Sequence, residues 1–203
     1  MIRLSVPSLL NANPILQHSI AVAVLCLVLQ LHQPYLIYQS DVLWSEPWRL
    51  WTAHWVHVSW PHAALNLVAL LLLPLIFPAY PVHRLWWLLW LGSPLLSIAL
   101  RWGVPTLEQY AGLSGILHGI YFSAALHALV CGHDRLVAGI LWVGLTIKLV
   151  LEYFVVGQSV DEWIGAAVLT QAHVLGVVVA LLLSCCFGHF VRSKPIKTSN
   201  SHK

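Results

Sequence analysis

Three clusters of polar side chains interrupt otherwise apolar stretches of this sequence, and each holds residue types able to act on a carbonyl group. In YAGLSGILHGIYFSAA, residues 110–125, Ser114 stands between Gly112 and Gly115, and His118 follows four residues on. HWVHVSWPHAALN, residues 54–66, carries His54, His57, His62 and Asn66, and the third cluster is Gln171-Ala172-His173. A serine opening an apolar helix is most often a cap. The same position suits a nucleophile, because backbone N–H groups and the positive helix end stabilise an oxyanion there. Ser114 alone does not decide between these roles; a base is needed from elsewhere. Gly115, Gly119 and Ser123 form a small-residue stripe at i, i+4, i+8, and Ala172, Gly176 and Ala180 form another. Such stripes let helix backbones approach closely. If they face each other, Ser114 and His173 come within hydrogen-bond reach. His173 then takes the Ser114 proton during attack and returns it to the leaving amine. No carboxylate flanks His173 in sequence, so a Ser–His dyad is expected rather than a triad.

The elements that position these clusters belong in a membrane. Of 203 residues, 59% are hydrophobic and 8% charged, against about 25% charged in soluble domains. An all-α, polytopic membrane protein is expected. Six stretches suit helices crossing about 30 Å of hydrocarbon, near residues 15–32, 62–78, 85–100, 114–131, 136–156 and 167–187. The third is short and contains Pro94. Arg3, Arg84, Arg135, Arg192, Lys194, Lys197 and Lys203 fall on one side and only Arg49 and Arg101 on the other, which puts both termini in the cytoplasm. All three polar clusters then lie in the outer leaflet. The long connection Gln33–Ala53, with Trp44, Trp48, Leu50 and Trp51, reads as a segment lying in the outer interface. The expected organisation is a cytoplasmic segment over 1–14, one six-helix domain over 15–190 and a basic cytoplasmic tail over 191–203. Residues 1–17 carry one cation and no small-residue cleavage site follows Ile20–Leu31, unlike a signal peptide.

Lys148 and Glu152 lie four apart in the fifth stretch, where they can pair along one helix. Counted inward at about 1.5 Å per residue, Glu152 and His173 reach similar depth. His118 reads as a packing residue, since a base on the nucleophile's own helix has poor geometry. His54, His57 and His62 have separations that permit ligation, but zinc sites usually add Cys or carboxylate ligands. Cys26, Cys131, Cys185 and Cys186 have no ligand spacing either. Neither a metal nor another cofactor is expected.

The set Trp48-Arg49, His57 with His62-x-x-x-Asn66, Gly112-Leu113-Ser114-Gly115 and Ala172-His173-x-x-Gly176 resembles the rhomboid intramembrane serine proteases. The likeness covers nearly the whole chain, in the order and topology of a six-transmembrane-helix bundle. GLSGILHG is similar to the rhombosortase branch, whose members act on bacterial surface proteins bearing a C-terminal Gly-Gly, helix and basic-tail anchor. The resemblance implies that Ser114 is the nucleophile and His173 the general base, with His62, Asn66 and the Ser114 N–H forming an oxyanion hole. Gly112, Gly115, His118, Trp48 and Arg49 would support the site. The fifth helix of such proteins borders the substrate's route, so Glu152, with Lys148, is expected to contact the site, the substrate or an incoming amine. Implied partners are membrane proteins with C-terminal transmembrane anchors and the bilayer, with a lipid amine as an alternative acceptor to water and no nucleic acid. The implied location is a bacterial inner membrane, with the site opening to the periplasm. Two positions depart from the family pattern: an aromatic residue is usual where His118 stands, and glycine where Ala180 stands. A non-catalytic rhomboid-like protein that binds membrane segments, and a histidine-rich metal-binding membrane protein, remain alternatives at this level.

Overall fold

A computed structural model describes residues 13–154 and 169–186. All but the last two residues of the expected N-terminal segment, Asp161, Glu162 and the basic tail 191–203 lie outside the described residues. Within them the protein is mostly helical. Helix α1, Pro14–Gln30, begins where Asn13 accepts the Leu16 N–H at 3.3 Å and Pro14 occupies a first-turn position that needs no N–H. Its last residue, Gln30, is buried and clamps the backbone of His57 from both sides. Gln30 Nε2 donates to the His57 carbonyl at 2.8 Å, and the His57 N–H donates to Gln30 Oε1 at 2.7 Å.

The connection after α1 is structured rather than merely interfacial. It holds the short helices α2, Gln33–Leu36, and α3, Arg49–Thr52, and the strand β1, Tyr38–Gln39. β1 pairs antiparallel with β2, Gln109–Tyr110, with Tyr38 opposite Tyr110, a small exception to the all-α expectation. Gly112 N–H donates to the Ala53 carbonyl at 2.9 Å, so the connection is tied to the residues just before Ser114. Arg49 is the internal staple. It is buried, with Nε 2.6 Å from Glu46 Oε2 and a terminal nitrogen 2.7 Å from the Ile37 carbonyl. A buried guanidinium with both partners supplied offsets its desolvation and fixes two loop strands at once. Trp48 and Trp44, by contrast, are exposed.

Helix α4, Trp60–Ile76, is capped by Ser59, whose Oγ accepts the His62 N–H at 3.2 Å. The third column is longer than the sequence expectation of 85–100. It runs as α5, Val82–Trp87, a π-helical turn, Leu88–Gly92, and α6, Ser93–Gly103. Pro94 lies inside this column and has no N–H to give the carbonyl four residues back. That carbonyl, on Trp90, instead accepts the Trp51 indole N–H at 2.8 Å. A widened turn just ahead of the proline and a donor from α3 let the column run unbroken through Pro94.

Helix α7, Ser114–Cys131, coincides with the fourth expected stretch, ends at Gly132 with φ +80°, and is long and apolar enough to cross a membrane. It occupies the centre of the bundle, against α9, Thr170–Cys186, on one side and α8, Arg135–Phe154, on another; α1 packs on α4. The seam of α7 with α9 is the small-residue pair of stripes. A Cβ on Gly119 would meet the Gly176 carbonyl at 2.5 Å, and one on Gly115 the Ala172 carbonyl at 2.9 Å. Val24, Val28, Leu65, Val68, Leu75, Val143, Ile147, Val178 and Leu182 face outward. An apolar exterior around a close-packed small-residue core is what a hydrocarbon solvent selects.

Candidate active site

The crossing of α7 and α9 decides the site. Ser114 is the first residue of α7, but its hydroxyl does not cap the helix: Leu113 occupies the cap position and no side chain caps there. Ser114 Oγ lies 3.2 Å from His173 Nε2 instead. His173 is buried, whereas Ser114 is half-buried. A hydroxyl held on an imidazole in this way can lose its proton as the oxygen attacks a carbonyl carbon.

The other face of His173 is equally occupied. Its Nδ1 lies 2.8 Å from Glu152 Oε2 on α8, and Lys148 bonds Glu152 Oε1. The expectation that His173 has no carboxylate rested on its sequence neighbours alone; the partner comes from another helix, 21 positions away. The His118 ring stacks on His173 with centroids 3.9 Å apart and planes at 15°. It therefore occupies the packing place that an aromatic fills elsewhere, while His118 Nδ1 bonds the Ser114 carbonyl at 2.7 Å.

His62 and Asn66 share one face of α4 beside the turn that precedes Ser114. A Cβ on Gly112 would come within 2.7 Å of the His62 ring, and Gly112 has φ +148°, a conformation that L side chains rarely adopt. Glycine thus lets the imidazole lie directly over the backbone leading into the nucleophile candidate. Asn66 is buried and gives one amide proton to the His62 carbonyl at 2.9 Å, which leaves its second proton available to another acceptor. The Gly115 backbone packs against α9, and the first-turn N–H groups of α7 open at Ser114. Trp48 and Arg49 lie in the connection, where Arg49 acts on loop shape.

Two further contributors act on this turn, and of them only Tyr110 was not singled out from sequence. Tyr110 Oη donates to the Gly112 carbonyl at 2.8 Å and bridges the turn from inside. His57 Nε2 accepts the Leu113 N–H at 3.4 Å and its ring meets His62 edge-on at 5.2 Å. Neither position carries a periodic signal, because both act on backbone brought close by the loop pairing. His54 turns the other way: Ser97 gives its proton to the Leu50 carbonyl, so His54 Nε2–H donates to Ser97 Oγ at 2.9 Å.

Burial holds the imidazoles of His54 and His57 at a pKa of about 3, with the neighbouring His62 lowering His57 further. Both are neutral when folded, whereas an unfolded histidine protonates below about pH 6.5. Unfolding therefore takes up protons, and stability present above that pH falls as the solution is acidified from about 6.5 toward 3. Thermal melting of purified protein between pH 7 and pH 5 should show this fall, and His57→Gln should flatten it. A His57→Gln profile parallel to wild type would exclude His57 as a source.

A helical bundle with an apolar exterior and a serine–histidine pair at its tightest crossing defines a class of membrane-embedded hydrolase candidates. Residues 45–190, most of the chain, match the Rhomboid domain. The chain belongs to the rhomboid family of intramembrane proteases, which act on membrane proteins within the bilayer. No curated protein matches it.

Proposed function

We propose that this chain is a serine endopeptidase of the rhombosortase-like branch, with Ser114 as nucleophile and His173 as general base. The observation that carries this reading is the 3.2 Å contact between Ser114 Oγ and His173 Nε2 across two helices joined by glycine. His62, Asn66 and the Ser114 N–H serve as the oxyanion hole, a role supported by the His62 ring lying against Gly112 and by the free proton of Asn66. The polypeptide is a six-span bundle over residues 15–190, flanked by cytoplasmic segments, in a bacterial inner membrane with its site toward the periplasm. The excess of Arg3, Arg84, Arg135, Arg192, Lys194, Lys197 and Lys203 over Arg49 and Arg101 in the sequence supports that orientation.

Its substrate is the C-terminal transmembrane anchor of a surface or secreted protein, unwound at a Gly-Gly pair. Glycine suits the cleavage point because it is a poor helix former and leaves room at a crowded crossing. Attack by Ser114 Oγ on the scissile carbonyl gives an acyl-enzyme and releases the amine side of the anchor; water, or a lipid amine, resolves the ester. The test is two-fold. A fluorophosphonate reporter applied to the purified protein should modify Ser114, located by peptide mapping. A reporter protein ending in Gly-Gly, an apolar helix and basic residues should be cleaved at the pair, whereas the same anchor with Leu-Leu should resist. No modification of Ser114 would sink the nucleophile assignment. Equal cleavage of both anchors would sink the sorting branch alone.

A further inference from the structure

We propose that Glu152 is a positioning residue for His173, so that the reaction runs on a serine–histidine–glutamate set whose carboxylate is carried by a different helix from the other two members. The proposal rests on the reading of Ser114 as nucleophile and His173 as base. Its ground is a closed circuit of hydrogen bonds. The His118 Nδ1–H donates to the Ser114 carbonyl at 2.7 Å, which leaves His118 Nε2 as an acceptor. Lys148 Nζ donates to that nitrogen at 3.0 Å and also to Glu152 Oε1. Glu152 Oε2 accepts the His173 Nδ1–H at 2.8 Å, and His173 Nε2 accepts the Ser114 hydroxyl at 3.2 Å. One assignment of tautomers satisfies every bond in the circuit, and it begins and ends on Ser114. In that assignment the lone pair of His173 points at the nucleophile.

The ion pair on α8 is not self-contained. Lys148 and Glu152 are the only Asp, Glu, Lys or Arg residues between Arg135 and Phe154, on a helix whose Ile147, Val150, Leu151 and Phe154 are exposed. Charged groups in such a helix are costly, and Lys148 alone would neutralise the carboxylate. Yet the second oxygen of Glu152 is turned inward onto His173, whose side chain is only 5% exposed. His118, Glu152 and His173 also bring three potential metal-ligand atoms within 4.8 Å of one another. The stacked imidazoles make their in-plane lone pairs run side by side rather than converge, and the Lys148 ammonium bonds both His118 and Glu152. The cluster is built to orient a base, not to cage an ion.

The chemistry balances without any other group. As Ser114 Oγ bonds to the carbonyl carbon, its proton moves to His173 Nε2, while Nδ1–H stays on the ring and is shared with Glu152. The carboxylate offsets the imidazolium charge. When the C–N bond breaks, the Nε2 proton leaves on the amine; the attacking water then returns a proton along the same path. Among the described residues, His62 on α4, His118 on α7, and Lys148 and Glu152 on α8 are the titratable groups that face His173. Only Glu152 among them is an anion. Since α8 presents it, any outward displacement of that helix removes the carboxylate from the base.

The experiment uses the full-length protein in lipid nanodiscs and a fluorophosphonate reporter, with Ser114→Ala as the blank. It reads two quantities, the second-order rate constant of Ser114 modification and the final fraction modified. Glu152→Gln keeps the shape but can donate its amide to Nδ1, which admits the tautomer with Nε2 protonated. Its rate constant should fall about 10²-fold, with the final fraction and melting temperature as in wild type. Glu152→Asp, whose shorter arm draws the carboxylate from Nδ1, should regain part of the rate, to about tenfold below wild type. A wild-type rate in Glu152→Gln overturns the proposal. So does a lowered fraction at an unchanged rate that Glu152→Asp does not rescue, since that is the mark of a purely structural role. If Glu152→Gln yields too little folded protein, Glu152→Asp decides alone, because its shorter arm draws the carboxylate from Nδ1: a reduced rate supports the proposal and a wild-type rate overturns it. A wild-type protein unmodified at Ser114 overturns the underlying nucleophile reading as well, and is visible before any Glu152 variant is made.

Discussion

Ser114→Ala protein should fold and insert like wild type yet lose on the order of 10⁵–10⁶ in turnover of an anchored reporter. The two halves of that expectation have separate grounds. Stability depends little on the hydroxyl, because it does not cap the helix and, among the described residues, makes only neutral hydrogen bonds, to His173 and with the Tyr110 hydroxyl; each such bond contributes about 1 kcal/mol. Turnover depends on it entirely, since among the described residues no other hydroxyl bonds His173. His173→Ala should lose turnover to the same degree but melt earlier. It removes a buried ring stacked on His118 and leaves Glu152 with Lys148 as its remaining partner. The two losses should not add in the double variant, as expected of groups acting as one unit. Asn66→Ala offers the graded comparison: an oxyanion donor contributes about 10²–10³, so intermediate turnover should survive. Turnover by Ser114→Ala above about one per cent of wild type would end the assignment.

The parts of this site that were legible in sequence are those fixed by local spacing. Helix α7 could be bounded from its glycines and apolar run, and the pairing of Ser114 with His173 followed from two stripes of small residues. The stripe argument works because backbone contact at glycine has few geometric solutions. What escaped was long-range. The third column was read short around Pro94, since the donor that satisfies the Trp90 carbonyl sits on Trp51, in another element. The pairing of Tyr38 with Tyr110, which locks the long connection after α1 to the entry of α7, involves strands of two residues that carry no alternating pattern. Glu152 was visible as a misplaced charge at the right depth. Its partner was not, because the rotation of α8 about its own axis decides whether the carboxylate faces lipid or His173. His118 lay between these cases: its position was plain, and its stack on His173 needed the crossing of α7 and α9.

Gly176→Ala should disable the protein more thoroughly than its single added methyl suggests. A Cβ at Gly176 would overlap the Gly115 carbonyl on α7, and its next nearest neighbours are also Gly115 backbone atoms. No side chain can swing aside, so the helices themselves must separate. Gly115 directly follows Ser114, and His173 lies one turn before Gly176, so that separation acts on the Ser114–His173 contact itself. Misplacement of reacting groups by about 1 Å costs on the order of 10²-fold in rate, and forced overpacking costs about 1–3 kcal/mol of stability. Gly176→Ala should therefore melt earlier and show fluorophosphonate modification of Ser114 slowed by at least about 10²-fold. Gly144→Ala is the matched control. It sits on α8 with open space where its Cβ would go, and alanine is the better helix former by about 1 kcal/mol. That variant should keep the wild-type rate and melt no earlier. If Gly176→Ala keeps both rate and melting temperature, the tight crossing does not hold the serine against the histidine, and the placement of the whole site on it fails.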